Sequence, residues 1–162
     1  SAKAAIVQEA DSQAILFSKN PHLRFSTAST AKIMTALVAL DYYKPEYVLV
    51  IKSYNVPGSG LNFQTGDKFY FSDLMYAMLL PNANDAAAAI ADNYPGGRSA
   101  FIAKMNEKAQ SYHLSDTHFV DSIGIDDDGN YSTVVDLSRL SAIAMKNTTF
   151  AKKVAFYLKT VE

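Results

Sequence analysis

Residues 31–40, Ala-Lys-Ile-Met-Thr-Ala-Leu-Val-Ala-Leu, are apolar around almost the whole circumference of a helix. A helix without a polar face has to be buried on every side, so the rest of the chain must wrap it. With 162 residues there is enough chain to do so within one domain. The pattern predicts a helix from about residue 27 to residue 43, stopping before Pro45 because the position ahead of a proline disfavours helical backbone. Ser29-Thr30-Ala31-Lys32 stands at its front. Helical residues three apart share a face, with Cβ atoms about 5–6 Å from each other. A serine hydroxyl is a poor nucleophile until a base takes its proton. Lysine can be that base where burial disfavours its ammonium form, and a helix N-terminus favours negative charge developing near Ser29. A Ser-x-x-Lys spacing arises by chance about once or less in a chain of this length, so it does not carry a function by itself.

The surrounding segments alternate short strands with helices. Residues 3–18 read as a hairpin: apolar runs at 4–9 and 13–17 flank the turn residues Ala10, Asp11 and Ser12. Residues 47–52 are β-branched and strand-like, and Val56-Pro57-Gly58-Ser59-Gly60 is a loop. An extended piece at 69–71 leads to a helix over 73–80, with Ser72 as the expected N-cap. Its methionines, Met75 and Met78, read as core packing. Pro81-Asn82-Ala83-Asn84-Asp85 then interrupts the helical pattern before the alanine-rich run 86–91. Two readings stay open for it: a helix–helix turn capped by Asn84 or Asp85, and a polar loop aimed into a cleft. Further helices are expected over 99–113, from about 132 through 146 with a Ser or Thr cap, and over 149–157.

Composition excludes several function classes. A net charge of −1 with no basic patch argues against nucleic acid and against a polybasic membrane contact. There is no cysteine, hence no disulfide framework or thiolate metal site. His22, His113 and His118 show no metal-ligand spacing. Asp126-Asp127-Asp128-Gly129-Asn130 departs from a calcium loop because Tyr131 and Leu137 stand where glycine and glutamate are needed, so it reads as a solvated turn. No metal and no cofactor are expected. No signal peptide and no run of 18 apolar residues occurs, so the expectation is that any membrane anchor lies outside this chain.

Several anchors in a fixed order carry a family resemblance. They are Ser29-Thr30-Ala31-Lys32, then Leu79-Leu80-Pro81-Asn82-Ala83-Asn84-Asp85-Ala86-Ala87, Phe101-Ile102-Ala103-Lys104-Met105-Asn106, Asp116-Thr117-His118-Phe119, Gly124-Ile125-Asp126 and Tyr131-Ser132-Thr133 with Asp136-Leu137. Together they resemble the D-alanyl-D-alanine carboxypeptidases, the low-molecular-mass penicillin-binding proteins of the serine peptidase type, over nearly the whole chain. The resemblance implies an α/β (α+β) fold of the penicillin-binding protein and serine β-lactamase type, with an antiparallel sheet packed against helices. It implies an extracytoplasmic place in the bacterial cell envelope and a substrate that is a peptidoglycan stem peptide ending in D-Ala-D-Ala. β-Lactam antibiotics would mimic that substrate. Of the family's motifs Ser-x-x-Lys, Ser-x-Asn and Lys-Thr-Gly, the first falls on Ser29, the acylated nucleophile, and Lys32, its base. Asn84 matches the asparagine that orients substrate amide and lysine.

Two departures stand out. The position of the motif serine is held by Asn82. An amide can hydrogen-bond but does not readily pass a proton, which leaves Asn82 a substrate-binding role. No Lys-Thr-Gly occurs; Lys159-Thr160-Val161 is the nearest string, directly before Glu162, and Ser53-Tyr54-Asn55 is a Ser-x-Asn decoy in the wrong context. In the family the third motif lies on a strand that lends a backbone N–H to the oxyanion hole, and losing such a donor costs on the order of 100- to 1000-fold in rate. The expectation is therefore a single, incomplete transpeptidase-like catalytic domain over 1–162 that lacks the C-terminal strands and is weakly active or inactive alone. A DD-endopeptidase acting on cross-linked peptidoglycan and a non-catalytic peptidoglycan-binding scaffold are the alternatives. A β-lactamase would need a deacylating glutamate, and Glu9, Glu46, Glu107 and Glu162 offer none in a cleft loop.

Overall fold

Helix α1, Ala31–Tyr42, runs through the middle of the molecule with eight of its residues buried. The computed structural model describes residues 1–52, 56–125 and 128–156. The decoy Ser53-Tyr54-Asn55, Asp126, Asp127, Tyr157 and the Lys159-Thr160-Val161 string lie outside the described residues. α1 is shorter than its sequence pattern. A 3₁₀ turn, Ala28–Thr30, precedes it, and Tyr43 is already extended two residues before Pro45.

The expected hairpin forms from β1, Ala5–Gln8, and β2, Ile15–Lys19, with Ala5 opposite Lys19 and a bulge at Val7/Gln8. The β2 residues Ile15, Leu16 and Phe17 remain exposed, while β1 packs on α5, Val134–Lys146. Strands β3, Phe25–Ser26, and β6, Tyr131–Ser132, form a second antiparallel pair, and β4, Val48–Val50, with β5, Lys68–Tyr70, a third. These short antiparallel ladders set against helices bear out the α+β class.

Helix α2, Phe71–Leu79, begins earlier than expected, and Ser72 is inside it rather than its cap. Its first N–H groups are taken by backbone instead: Phe71 donates to the Tyr47 carbonyl at 2.7 Å and Ser72 to that of Pro45 at 3.0 Å. Burial of Phe71 in the core draws the helix start forward, a gain of roughly 1.5–3 kcal/mol for such a side chain. α3, Asn84–Asn93, is the alanine-rich helix, buried from Asp85 to Ala91. Small side chains let it lie close to α1, α2 and α4, Gly97–Ser111. α5 is capped as expected by Thr133, whose hydroxyl accepts from the Asp136 N–H. α6, Thr148–Val154, is capped by Asn147. The core joins Met34, Leu37 and Val38 to Leu74, Met75, Met78, Ile90, Phe101, Met105 and Leu140, with Met75 and Met78 packing as the sequence suggested.

Candidate active site

Ser29 sits on the exposed 3₁₀ turn at the head of α1, and Lys32 one turn on is 3% exposed. The turn is fixed from below. Thr27 donates its N–H to the Asn130 carbonyl at 3.1 Å, a contact set up by the β3–β6 pairing, and Thr30 donates its N–H back to Thr27 at 3.1 Å. Ala28 has φ +43°, a left-handed conformation that costs an L-residue energy. Gly124 makes room for it: a Cβ there would lie 1.7 Å from the Ala28 carbonyl oxygen, and its φ is +74°.

The α2–α3 connection brings both asparagines onto the lysine. Lys32 Nζ donates to Asn82 Oδ1 at 2.8 Å, to Asn84 Oδ1 at 2.6 Å and to the Ile123 carbonyl at 3.1 Å. Asn82 Nδ2 donates to Ser29 Oγ at 2.9 Å. All four residues singled out in the sequence thus meet, and no direct hydrogen bond joins the nucleophile to the lysine: the Asn82 amide bridges them. Asn82 adopts φ +63°, which asparagine tolerates better than most residues. Neither Asn84 nor Asp85 is the N-cap of α3; Ala83 holds that place. The side chains are drawn elsewhere. Asn84 Nδ2 donates to the Pro57 carbonyl at 2.6 Å, and Asp85 Oδ2 accepts from the Leu61 and Phe63 N–H groups at 2.8 and 3.3 Å. Of the two readings left open for residues 81–85, the polar loop aimed into a cleft is the one realised.

Burial pushes Lys32 down from 10.5 to about 8, opposed in part by the negative charge of Asp121. Three acceptors match the three donors of an ammonium, so the resting site holds Lys32 charged. Beside it opens a cleft of about 350 Å³ whose apolar wall is Ile33, Met78, Leu79, Phe150 and Val154, with Ser29, Thr30, Lys32 and Asn82 at its polar end.

Other contributors were not singled out from the sequence. Asp121 Oδ1 accepts from the N–H groups of Ile123 and Gly124 at 2.8 and 2.6 Å. Asn130, expected in a solvated turn, is fully buried, and its Nδ2 donates to Asp121 Oδ2 at 2.7 Å. The Asp-x-x-Gly string at 121–124 is itself a turn signal that could have pointed to this loop. Among the described residues no cluster of histidine, aspartate and glutamate could hold a metal ion, and His118 instead stacks on Tyr131 and faces the Gly129 carbonyl. No helix among them is long and apolar enough to cross a membrane.

The chain is similar to several known proteins. A family profile described as D-alanyl-D-alanine carboxypeptidase matches residues 1–160. The D-alanyl-D-alanine carboxypeptidase of Streptomyces sp. (strain K15) is 39% identical, over 90% of this chain and 56% of its own length. A D-alanyl-D-alanine endopeptidase of Pseudomonas aeruginosa is 34% identical, over 94% of this chain and 52% of its own. The crystal structure of a D-alanyl-D-alanine carboxypeptidase from Mycobacterium tuberculosis H37Rv superposes with a TM-score of 0.88 at 30% identity, covering 96% of this chain and 60% of that one. The chain therefore spans about half the length of the curated relatives it matches.

Proposed function

The chain belongs to the D-alanyl-D-alanine carboxypeptidase family, and from that premise we propose that residues 1–162 are part of one transpeptidase-like catalytic domain of a serine peptidase acting on peptidoglycan stem peptides. Ser29 Oγ attacks the carbonyl of the penultimate D-Ala and its proton passes to Lys32. The peptide C–N bond breaks, the terminal D-Ala leaves with a proton on its amine, and water then hydrolyses the ester on Ser29. Lys32 has to be neutral to accept a proton. With its titration near 8, about one molecule in ten carries the free amine at pH 7. Asn84 orients Lys32 and receives the substrate amide; Asn82 borders the substrate at Ser29. The protein works in the bacterial cell envelope, and β-lactams acylate the same serine.

One observation carries this reading: Lys32 Nζ is gripped by Asn82 and Asn84 while Asn82 also reaches Ser29 Oγ. The same bridge, with the absence of a Lys-Thr-Gly string from these residues, supports slow turnover by this chain. The endopeptidase alternative is supported by relatives of that name in Pseudomonas aeruginosa and Escherichia coli; release of monomers from cross-linked muropeptides distinguishes it. The test of the site is intact-mass spectrometry after incubation with benzylpenicillin. The expected product is one adduct per chain, absent from Ser29→Ala. A chain that binds stem peptide but forms no adduct is a non-catalytic scaffold instead.

A further inference from the structure

Lys32 and Ser29 are tied to one carboxylate that belongs to neither of their helical turns. Asp121 Oδ1 closes its own loop by accepting from Ile123 N–H and Gly124 N–H. That turns the Ile123 carbonyl onto Lys32 Nζ, the third of the lysine's three acceptors. The same closure lays Gly124 against the Ala28 backbone, next to the nucleophile. Asp121 Oδ2 accepts from Asn130 Nδ2, and the Asn130 carbonyl in turn receives the Thr27 N–H at the foot of the Ser29 turn. Asn130 is completely buried and its side chain has no slack, since Oδ1 accepts from Val120 N–H at 2.9 Å and Nδ2 also reaches the Ile125 carbonyl at 3.2 Å.

We propose that Asp121 is a positioning residue for the reaction: one oxygen sets the carbonyl that Lys32 grips, and the other, through Asn130, sets the turn that carries Ser29. This rests on the reading of Ser29 and Lys32 as nucleophile and base. Among the described residues, Asp121 also supplies the negative charge that acts on Lys32. Asn82, from the α2–α3 connection, and Asn84, the first residue of α3, are neutral. Asp85 on α3 is turned to the loop at Leu61 and Phe63, and Lys153 on α6 donates to the Ser72 carbonyl and lies over the Tyr76 ring. Asp121 thus steadies the resting ammonium that burial opposes.

The test reads Lys32 itself rather than turnover. In chain labelled with ¹³C-lysine, the Lys32 Cε resonance is assigned by its loss in Lys32→Met and followed from pH 6 to 11. Asp121→Asn keeps the shape and an oxygen for the two amides, removes the charge, and sets an NH2 donor where Asn130 Nδ2 had its acceptor. The expected result is a fall in the Lys32 midpoint by roughly one unit, the usual size for one nearby opposite charge. Where the chain is acylated by benzylpenicillin, the limb of the rate–pH profile that rises with Lys32 deprotonation moves to lower pH by the same amount. A purely structural role lowers the rate and leaves the limb in place. Asp121→Thr, which retains a hydroxyl acceptor for the turn, stands in if Asp121→Asn does not fold. A midpoint that stays or rises in a variant with native circular dichroism overturns the proposal. A chain that is never acylated still reports its Lys32 midpoint, so failure of the enzyme reading is seen separately.

Discussion

Replacing Asn82 by serine should make the protein faster and less stable at once. In the present structure the Asn82 amide stands between Ser29 Oγ and Lys32 Nζ, donating to one and accepting from the other. An amide cannot hand on the serine proton, whereas a hydroxyl both accepts and donates. A positioned proton-transfer group contributes typically about 100- to 10,000-fold, so Asn82→Ser is expected to raise the acylation rate by at least about 100-fold. The backbone sets the cost. Asn82 is left-handed at φ +63°, a conformation worth roughly 1 kcal/mol more to asparagine than to serine. For a chain of this size that lowers Tm by about 2–4 °C. The assay is the second-order rate of labelling by a fluorescent penicillin, run beside thermal unfolding of the same samples. Asn82→Ala is the control that clears the bridge without supplying a relay, and it should not reproduce the gain. Should Asn82→Ser be labelled no faster than the parent while remaining folded, the amide is not the obstacle and the reasoning fails.

Two further outcomes follow from the same geometry. Lys32 titrates near 8 in the folded protein against 10.5 ordinarily, so between those values the unfolded chain holds more protons and stability rises with pH; urea unfolding at pH 8 and pH 10 should show that gain, and Lys32→Met should lack it. Gly124→Ala drives a Cβ into the Ala28 carbonyl at a left-handed position, so penicillin labelling of Ser29 should fall by more than about 100-fold, with Tm lower by several degrees; normal labelling would show that the turn has room after all.

Much of the scaffold was legible because it depends on local periodicity. The apolar circumference of residues 31–40 predicts a central buried helix, and α1 is one. The spacing of Ser29 and Lys32 predicts a shared face, since three residues make nearly one helical turn. Ends were less legible. The early start of α2 and the capping of α3 depend on which carbonyls come within reach, and Tyr47, Pro45 and Ser59 supply those from other segments. Asn82 and Asn84 could be placed in the site through the order of motifs, but nothing local says that Asn82 would lie between serine and lysine rather than beside them.

The sequence alone determined the chemical inventory: a serine and a lysine at helical spacing, an amide where a hydroxyl is usual, and an apolar helix able to dry the lysine. Tertiary structure decided how these groups are wired. The partners of Lys32 lie 50, 52 and 91 residues away along the chain, and Asp121 and Asn130 reach the site through backbone carbonyls whose direction the Asp-x-x-Gly turn signal does not give. Side-chain periodicity is set within one turn of backbone, whereas a hydrogen bond across the core exists only once several helices have packed and the distances between their groups are fixed.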